Sequence, residues 1–257
     1  MIHFHKYQGT GNDFIMIDDR DLKFPSDQID IISKMCHRKF GIGSDGLILI
    51  QPHDQLDFKM VFFNPDGSKS LCGNGSRCAV AFANALGMIS DETRFETTDG
   101  EHHAFIEKEN IHFSLHDVSK VQPYGKDLFI DTGSPHYLKM VQDLDNIDVI
   151  KEGQDIRYSE LFSPSGTNVN FIELNQDRIR VRTYERGVEN ETLSCGTGVT
   201  ASALAANLSG MEGPIRVETR GGTLFVTFDR GNDNDFKNIY LAGPAKKVFE
   251  GDFEQSV

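Results

Sequence analysis

Four cysteines in 257 residues are too few for a disulfide scaffold. Basic charge is also short. Lys and Arg total 26 against 39 Asp and Glu, a net charge of −13, which argues against nucleic acid or an anionic membrane surface as a partner. No segment approaches the roughly 18 consecutive apolar residues of a membrane span. The opening MIHFHKYQGTGNDF lacks the basic region and apolar stretch of a secretory signal. Low-complexity tracts and Pro/Ser-rich linkers are missing as well. These absences leave a soluble, acidic, cytoplasmic enzyme acting on a small molecule as the expectation. A reducing compartment would keep the cysteines as thiols, so their placement must be explained by packing or by chemistry.

What the chain does contain is a copy of itself. At an offset of 122 or 123 residues, Thr10-Gly11-Asn12 falls on Thr132-Gly133-Ser134 and Gly43 on Gly166. Cys72-Gly73-Asn74-Gly75 falls on Cys195-Gly196-Thr197-Gly198, Ala83-Asn84 on Ala206-Asn207, and Glu96-Thr97 on Glu218-Thr219. Ordered matches at nearly one offset are the mark of a duplicated unit. The expected halves are 1–118, carrying Cys72, and 119–257, carrying Cys195, with a tail at 245–257 free to pack back on the first half.

Each half has the same grammar. FIMID, LILIQ, FKMVFF, FIEL and IRVRTY are short runs rich in β-branched and aromatic residues and read as strands. SRCAVAFANALG and VTASALAANLSG, which follow Cys72 and Cys195, are rich in Ala and Leu and end in Gly, as helices commonly do. FETTDG and RVETRGGTLFVTF close each half as hairpins.

In each half a cysteine therefore sits in the turn feeding a helix, followed by Gly-X-Gly. A helix N-terminus carries unpaired N–H groups and a positive partial charge, which stabilise a thiolate and can bind a carboxylate beside it. Thiol pKa values fall from about 8.5 to between roughly 3.5 and 7.5 in such surroundings. Stereoinversion at a Cα needs a base on one face and an acid on the other, and a duplicated thiol meets that need without a cofactor. Cys72 and Cys195 are thus the expected acid and base. Cys36 and Cys78 have no matched counterpart and read as core residues. Neither half shows the close Cys or His pair of a zinc site, so no metal is expected.

GTGNDF near the start, FFNPDGSKSLCGNGSRC in the first half and YERGVENETLSCGTG in the second are long and specific, and by them the chain resembles the diaminopimelate epimerase family from end to end. The resemblance implies an α/β (α+β) fold of two pseudo-symmetric domains, each a curved, mostly antiparallel sheet around a central helix. It places the active site in the interdomain cleft, with neither pyridoxal phosphate nor metal. It implies conversion of LL-diaminopimelate to the meso form for lysine and peptidoglycan precursors. Cys72 and Cys195 match the thiol acid and base, and Gly73-Asn74 and Gly196-Thr197 match the carboxylate site at the reacting centre. Asn12, Asn64, Asn168, Glu185 and Arg186 match substrate-holding positions. Arg186 suits a bidentate carboxylate and Glu185 an ammonium or a thiol. His136, with Glu185, is a candidate for tuning thiol pKa values.

Two positions depart from the family pattern: Ser134 stands where Asn is common, and Gly46 where Gln is frequent. Taken without the resemblance, each Asn reads as a turn residue and Glu185-Arg186 as a solvated ion pair. Two other functions fit the thiols: a proline or hydroxyproline racemase of the same fold, and a two-cysteine redox or amino-acid-binding protein. A homodimer is compatible with the family analogy and with the frequency of symmetric dimers.

Overall fold

In the computed structural model, which describes residues 1–254, the chain starts as an antiparallel hairpin of β1 (Ile2–Gly9) and β2 (Asn12–Asp18). Thr10 and Gly11 turn it with φ of 51° and 84°, the left-handed pair that a two-residue hairpin turn demands. Helix α1 (Ile29–Cys36) leads to β3 (Gly46–Gln51), parallel to β2, and β4 (Phe58–Phe63) returns antiparallel to β3. Helix α2 (Gly73–Ala85) leads to β5 (Glu92–Thr97), parallel to β4. The antiparallel strands β6 (Gly100–Glu107) and β7 (Asn110–Ser114) follow.

β2, β3 and β4 are covered on both faces, which is why they read as unbroken apolar runs. Ile15, Ile17, Leu47, Leu49, Val61 and Phe63 pack with Ile32, Met35 and Cys36 of α1. The alternate residues Ile48 and Met60 lie against Gly75 and Ser76 of α2. Period-two alternation thus divides each strand between two helices.

The rest of the chain repeats this order. β8 (Val121–Tyr124) and β9 (Asp127–Asp131) form a hairpin, and β10 (Pro135–Val141) lies antiparallel to β9. Helix α3 (Val149–Arg157) leads to β11 (Asn168–Leu174), parallel to β10, and β12 (Ile179–Glu185) returns antiparallel. After the short β13 (Asn190–Thr192), helix α4 (Gly196–Leu208) leads to β14 (Ile215–Thr219), parallel to β12. The antiparallel strands β15 (Gly222–Arg230) and β16 (Phe236–Gly243) close the set. The β1–β2 hairpin corresponds to β9–β10, α1 to α3, and α2 to α4, with both parallel steps at matched places. Each copy is a mostly antiparallel sheet with a central helix, the α+β class expected. Ten of the thirteen residues in α2 and ten of the thirteen in α4 are buried, so these two are the central helices.

The last strand, β17 (Lys246–Phe253), runs antiparallel along β1. One compact unit therefore comprises Met1–Phe113 and the segment from Gly243 onward, and the other is Ser114–Ala242. The first unit stops at Phe113, short of 118, because the next residues are tied to β16: Leu115 N donates to Ile239 O at 2.9 Å, and Val118 bridges Phe236. Among the described residues no helix is long and apolar enough to cross a membrane.

Candidate active site

Both cysteines of the repeated motif are helix N-caps. Cys72 precedes α2 with extended φ and ψ of −138° and 109°, and Cys195 precedes α4 at −111° and 112°. The first turns close through Ser76 N to Cys72 O and Val199 N to Cys195 O, both 2.8 Å. The helices start at Gly73 and Gly196, directly after the thiols. Their first-turn N–H groups, which no α-helix can satisfy internally, come from the residues expected to hold a carboxylate, Gly73-Asn74 and Gly196-Thr197. All four cysteines are thiols. Cys36 and Cys78 lie in the core, and burial pushes both of their thiols up, so neither is a base near neutrality.

In the first unit the structure brings Asn12, Cys72 and Asn74 together. Asn12 Oδ1 accepts from the Cys72 thiol at 3.6 Å and from Asn74 Nδ2 at 3.2 Å, and Asn12 Nδ2 donates to Asp45 at 2.6 Å. Gly75 N–H donates to Cys72 Sγ at 3.4 Å. Behind them lies Arg77, which sequence reading missed because it is the one charged residue of an Ala-rich helix. Its guanidinium is fully buried and donates to Asn74 Oδ1 at 2.8 Å, and to Thr10 Oγ1 and Gly73 O at 3.3 Å. These partners are uncharged, and burial lowers its pKa to about 10 while the Cys78 and Cys72 thiols act to raise it.

Asn64 does not join that set. Its amide donates to Ser68 Oγ at 3.0 Å and Ser70 Oγ at 3.2 Å, and its N–H to Ser68 O at 2.8 Å, which is the role of a turn residue. Gly46 begins β3 with Phe62 against its Cα, so a Cβ there would run into the Phe62 ring and into Phe63 O. The longer side chain frequent in the family has no room at this position. Beside it, Asp13 binds Lys6 at 2.6 Å and Arg38 at 2.7 Å. Burial acts to raise the Asp13 pKa, but the Arg38 and Lys6 hydrogen bonds outweigh it and hold the carboxyl below its usual range.

In the second unit Cys195, Thr197 and His136 form one group. Cys195 Sγ and Thr197 Oγ1 are 3.6 Å apart, and His136 Nε2 lies 2.9 Å from the same hydroxyl. His136 is fully buried on β10. Burial, aided by the Arg186 charge, pushes its pKa down to about 3, so the imidazole is neutral throughout the physiological range. On the other side of the ring Nδ1 lies 3.0 Å from the amide of Asn170, a second residue that sequence reading missed. Its signal was present: Asn170 is two positions beyond Asn168 on one strand, hence on the same face.

Asn168, Ser134 and Arg186 form a second group. Asn168 Nδ2 donates to Ser134 Oγ and to Pro135 O, both at 2.9 Å, and its Oδ1 accepts from Arg186 N at 2.9 Å. Ser134 thus serves as an acceptor for Asn168. The Arg186 guanidinium donates to Ser165 O at 3.3 Å. Glu185, half-buried at the end of β12, pairs in register with Asn190.

The fold has solved counterparts. A phenazine biosynthesis protein of the PhzF family from Bacillus anthracis matches with a TM-score of 0.77 at 16% identity, covering 100% of this chain and 99% of its own. A probable proline racemase from Agrobacterium radiobacter matches with a TM-score of 0.71 at 14% identity, covering 100% and 94%. At such identities the likeness defines the fold class alone. The family is settled by sequence: the family model described as diaminopimelate epimerase matches residues 4–121 and 128–248. A relative named diaminopimelate epimerase, from Flavobacterium psychrophilum, is 48% identical over 251 residues, 96% of this chain and 98% of the relative. The chain belongs to the diaminopimelate epimerase family.

Proposed function

We propose that the protein is an isomerase that interconverts LL-2,6-diaminopimelate and meso-diaminopimelate, with Cys72 and Cys195 as the proton-exchanging pair and no pyridoxal phosphate. The observation that carries the reading is the paired placement of the thiols, each capping a buried helix whose first turn is Gly-X-Gly. In the proposed step one thiolate takes the Cα proton while the opposite thiol gives its own proton to the other face. The old C–H bond breaks, a new one forms, and thiol and thiolate exchange identities. Negative charge developing at Cα spreads onto the attached carboxylate, which the helix N–H groups of Gly73-Asn74 and Gly196-Thr197 are suited to hold. The requirement is that the two thiols reach opposite faces of one Cα.

Substrate choice is assigned to the polar residues around the thiols. Asn12 and Asn168 are held in place by their own hydrogen bonds, Asn64 lies in the loop before Cys72, and Arg186 with Glu185 provides opposite charges for a distal zwitterion. His136, neutral and behind Cys195, tunes that thiol through Thr197. Cytoplasmic location and a homodimer complete the proposal, the latter open to sedimentation analysis.

The test is hydrogen–deuterium exchange at Cα in D2O with purified protein, its Cys72→Ala and Cys195→Ala variants, and proline as a parallel substrate. Exchange with formation of the meso isomer is expected for the unsubstituted protein with diaminopimelate, and neither exchange nor product with proline. Exchange with proline alone would move the substrate to that of a proline racemase. No exchange with either would overturn the epimerase reading in favour of a redox or binding protein.

A further inference from the structure

Behind Cys195 four polar side chains, Thr183, Asn170, His136 and Thr197, line up in series. β11 and β12 are antiparallel neighbours, and their register sets Asn170 directly opposite Thr183. Thr183 Oγ1 donates to Asn170 Oδ1 at 2.9 Å, and Asn170 Nδ2 lies 3.0 Å from His136 Nδ1 and 3.4 Å from Tyr137 O. Turning the amide end for end would face its oxygen toward the Tyr137 carbonyl, acceptor against acceptor, so the NH2 group belongs on the His136 side. His136 Nδ1 is then an acceptor, and the ring proton sits on Nε2. That proton is donated to Thr197 Oγ1 at 2.9 Å. A hydroxyl that accepts in this way sends its own proton elsewhere, and Cys195 Sγ lies 3.6 Å away.

We infer that Thr183 and Asn170 are positioning residues for Cys195: through His136 and Thr197 they form a one-way hydrogen-bond relay that presents a hydroxyl proton to the sulfur and favours its thiolate. A hydrogen bond donated to the charged form lowers an acid's pKa. This goes beyond the proposed proton exchange and rests on it only for the role of Cys195 in turnover.

Two independent features agree with the relay. His136 and Asn170 are wholly buried and Thr183 nearly so, so water does not compete for the bonds. Gly198, in the first turn of α4, lies directly over the relay: an added Cβ would strike Asn170 Oδ1 and come within 3.2 Å of His136 Cε1. The charged groups facing this region are few. α4 carries none in its own sequence. β12 ends in Glu185, with Arg186 next, whose charge disfavours the imidazolium. β9 ends in Asp131, whose carboxylate accepts from Gly133 N at 2.9 Å.

The experiment titrates Cys195 without any substrate, so its result is independent of which amino acid the enzyme takes. In a Cys72→Ala background, the rate of iodoacetamide alkylation is followed at the Cys195 peptide by mass spectrometry from pH 5 to 10. Thr183→Val and the near-isosteric Asn170→Leu are expected to move the midpoint up by about one unit, which is about tenfold less thiolate at any pH below it. Thr183→Ser, which keeps the hydroxyl, restores the original profile. Nitrogen-15 NMR of His136 is expected to show the Nε2–H tautomer in the unsubstituted protein and a mixture in Asn170→Leu. In the two-thiol enzyme the same variants lower kcat with KM changed less than about twofold, since a group acting through the base leaves ground-state binding alone. Folded variants with an unchanged Cys195 profile, or a His136 Nδ1–H tautomer in the unsubstituted protein, would overturn the relay. Should Asn170→Leu fail to fold, the Thr183 pair and the NMR spectrum decide.

Discussion

Gly75 and Gly198 occupy the same place in the two CGxG turns, yet a methyl group would meet different neighbours. At Gly75 the closest atom is Ile48 Cδ1 at 3.0 Å, the end of a flexible side chain that can swing aside, with Cys72 Cβ and Met60 Cε in ordinary contact at 3.4 Å. At Gly198 the closest atoms belong to Asn170 and His136, which hydrogen bonds hold in position. Gly198→Ala is therefore expected to cost about 1–3 kcal/mol and Gly75→Ala less than about 1 kcal/mol, measured as urea midpoints. Equal losses would show that the relay yields as readily as an aliphatic side chain. The same contrast marks what single residues reveal in sequence. The thiols were legible because each holds the same place in the duplicated CGxG motif. Arg77, Asp45 and Thr183 were not, because their partners lie 3 to 67 positions away, fixed by strand register and helix packing. Asn64 read as a turn residue from its own setting and as a substrate-holding one only through the family resemblance, and in the structure its hydrogen bonds are those of a turn.

Elements differ in the same respect. β2, β3 and β4 announce themselves as apolar runs because both faces are covered, and α2 and α4 as Ala-rich segments because they lie in the middle of a unit. α1 and α3 went unread. α1 has eight residues and begins after Gln28, which makes no side-chain cap. α3 is capped by Asp148 but carries Gly153 in its middle, and it forms because Val149 packs on Val169, Phe171 and Tyr184. Gly153 is the consequence of that contact, since a Cβ would meet the Tyr184 ring. The last strand offers the clearest element-scale test. β17 covers the length of β1, with Phe249 edge-on to Phe4 at 5.9 Å and Gly251 against the same ring. A chain ending at residue 245 would leave β1 with a bare hydrogen-bonding edge, a template for association. It is expected to unfold at lower urea and to aggregate, as light scattering would show. A monodisperse truncation with unchanged stability would mean β17 is dispensable.

For the molecule as a whole, buried histidine makes stability depend on pH above the range in which carboxylates titrate. The folded pKa of His136 is depressed to about 3 from 6.5, so the unfolded chain binds the extra proton between these values. Its contribution is fully present above pH 6.5 and is lost as pH falls through the window. His5 and His112, lowered chiefly by burial, act with the same sign. Asp13, held low by Arg38 and Lys6 against its own burial, loses its contribution only as pH falls below its unfolded value of 3.8. Between pH 7 and 5 the urea-derived stability is expected to fall by about 1–2 kcal/mol through His136. His136→Gln should flatten that slope whatever it does to stability at pH 7, and an unaltered slope would mean that the histidine is already protonated or that the unfolded chain shields it. At this scale the duplication, the net charge and a tail free to pack back on the first half were readable in advance, whereas the residue-by-residue pairing of β17 along β1 was not.

The return of β17 to the first unit gives the two units different histories during synthesis. Every strand of the second unit lies within one uninterrupted stretch, residues 114–242, and that stretch can close its sheet as soon as it clears the ribosome. The first unit is translated earlier but waits, with β1 uncovered, until β17 is made. The half begun first is the half finished last, and throughout that interval the nascent chain displays an open strand edge that chaperones, or a neighbouring copy of the chain on the same message, can reach.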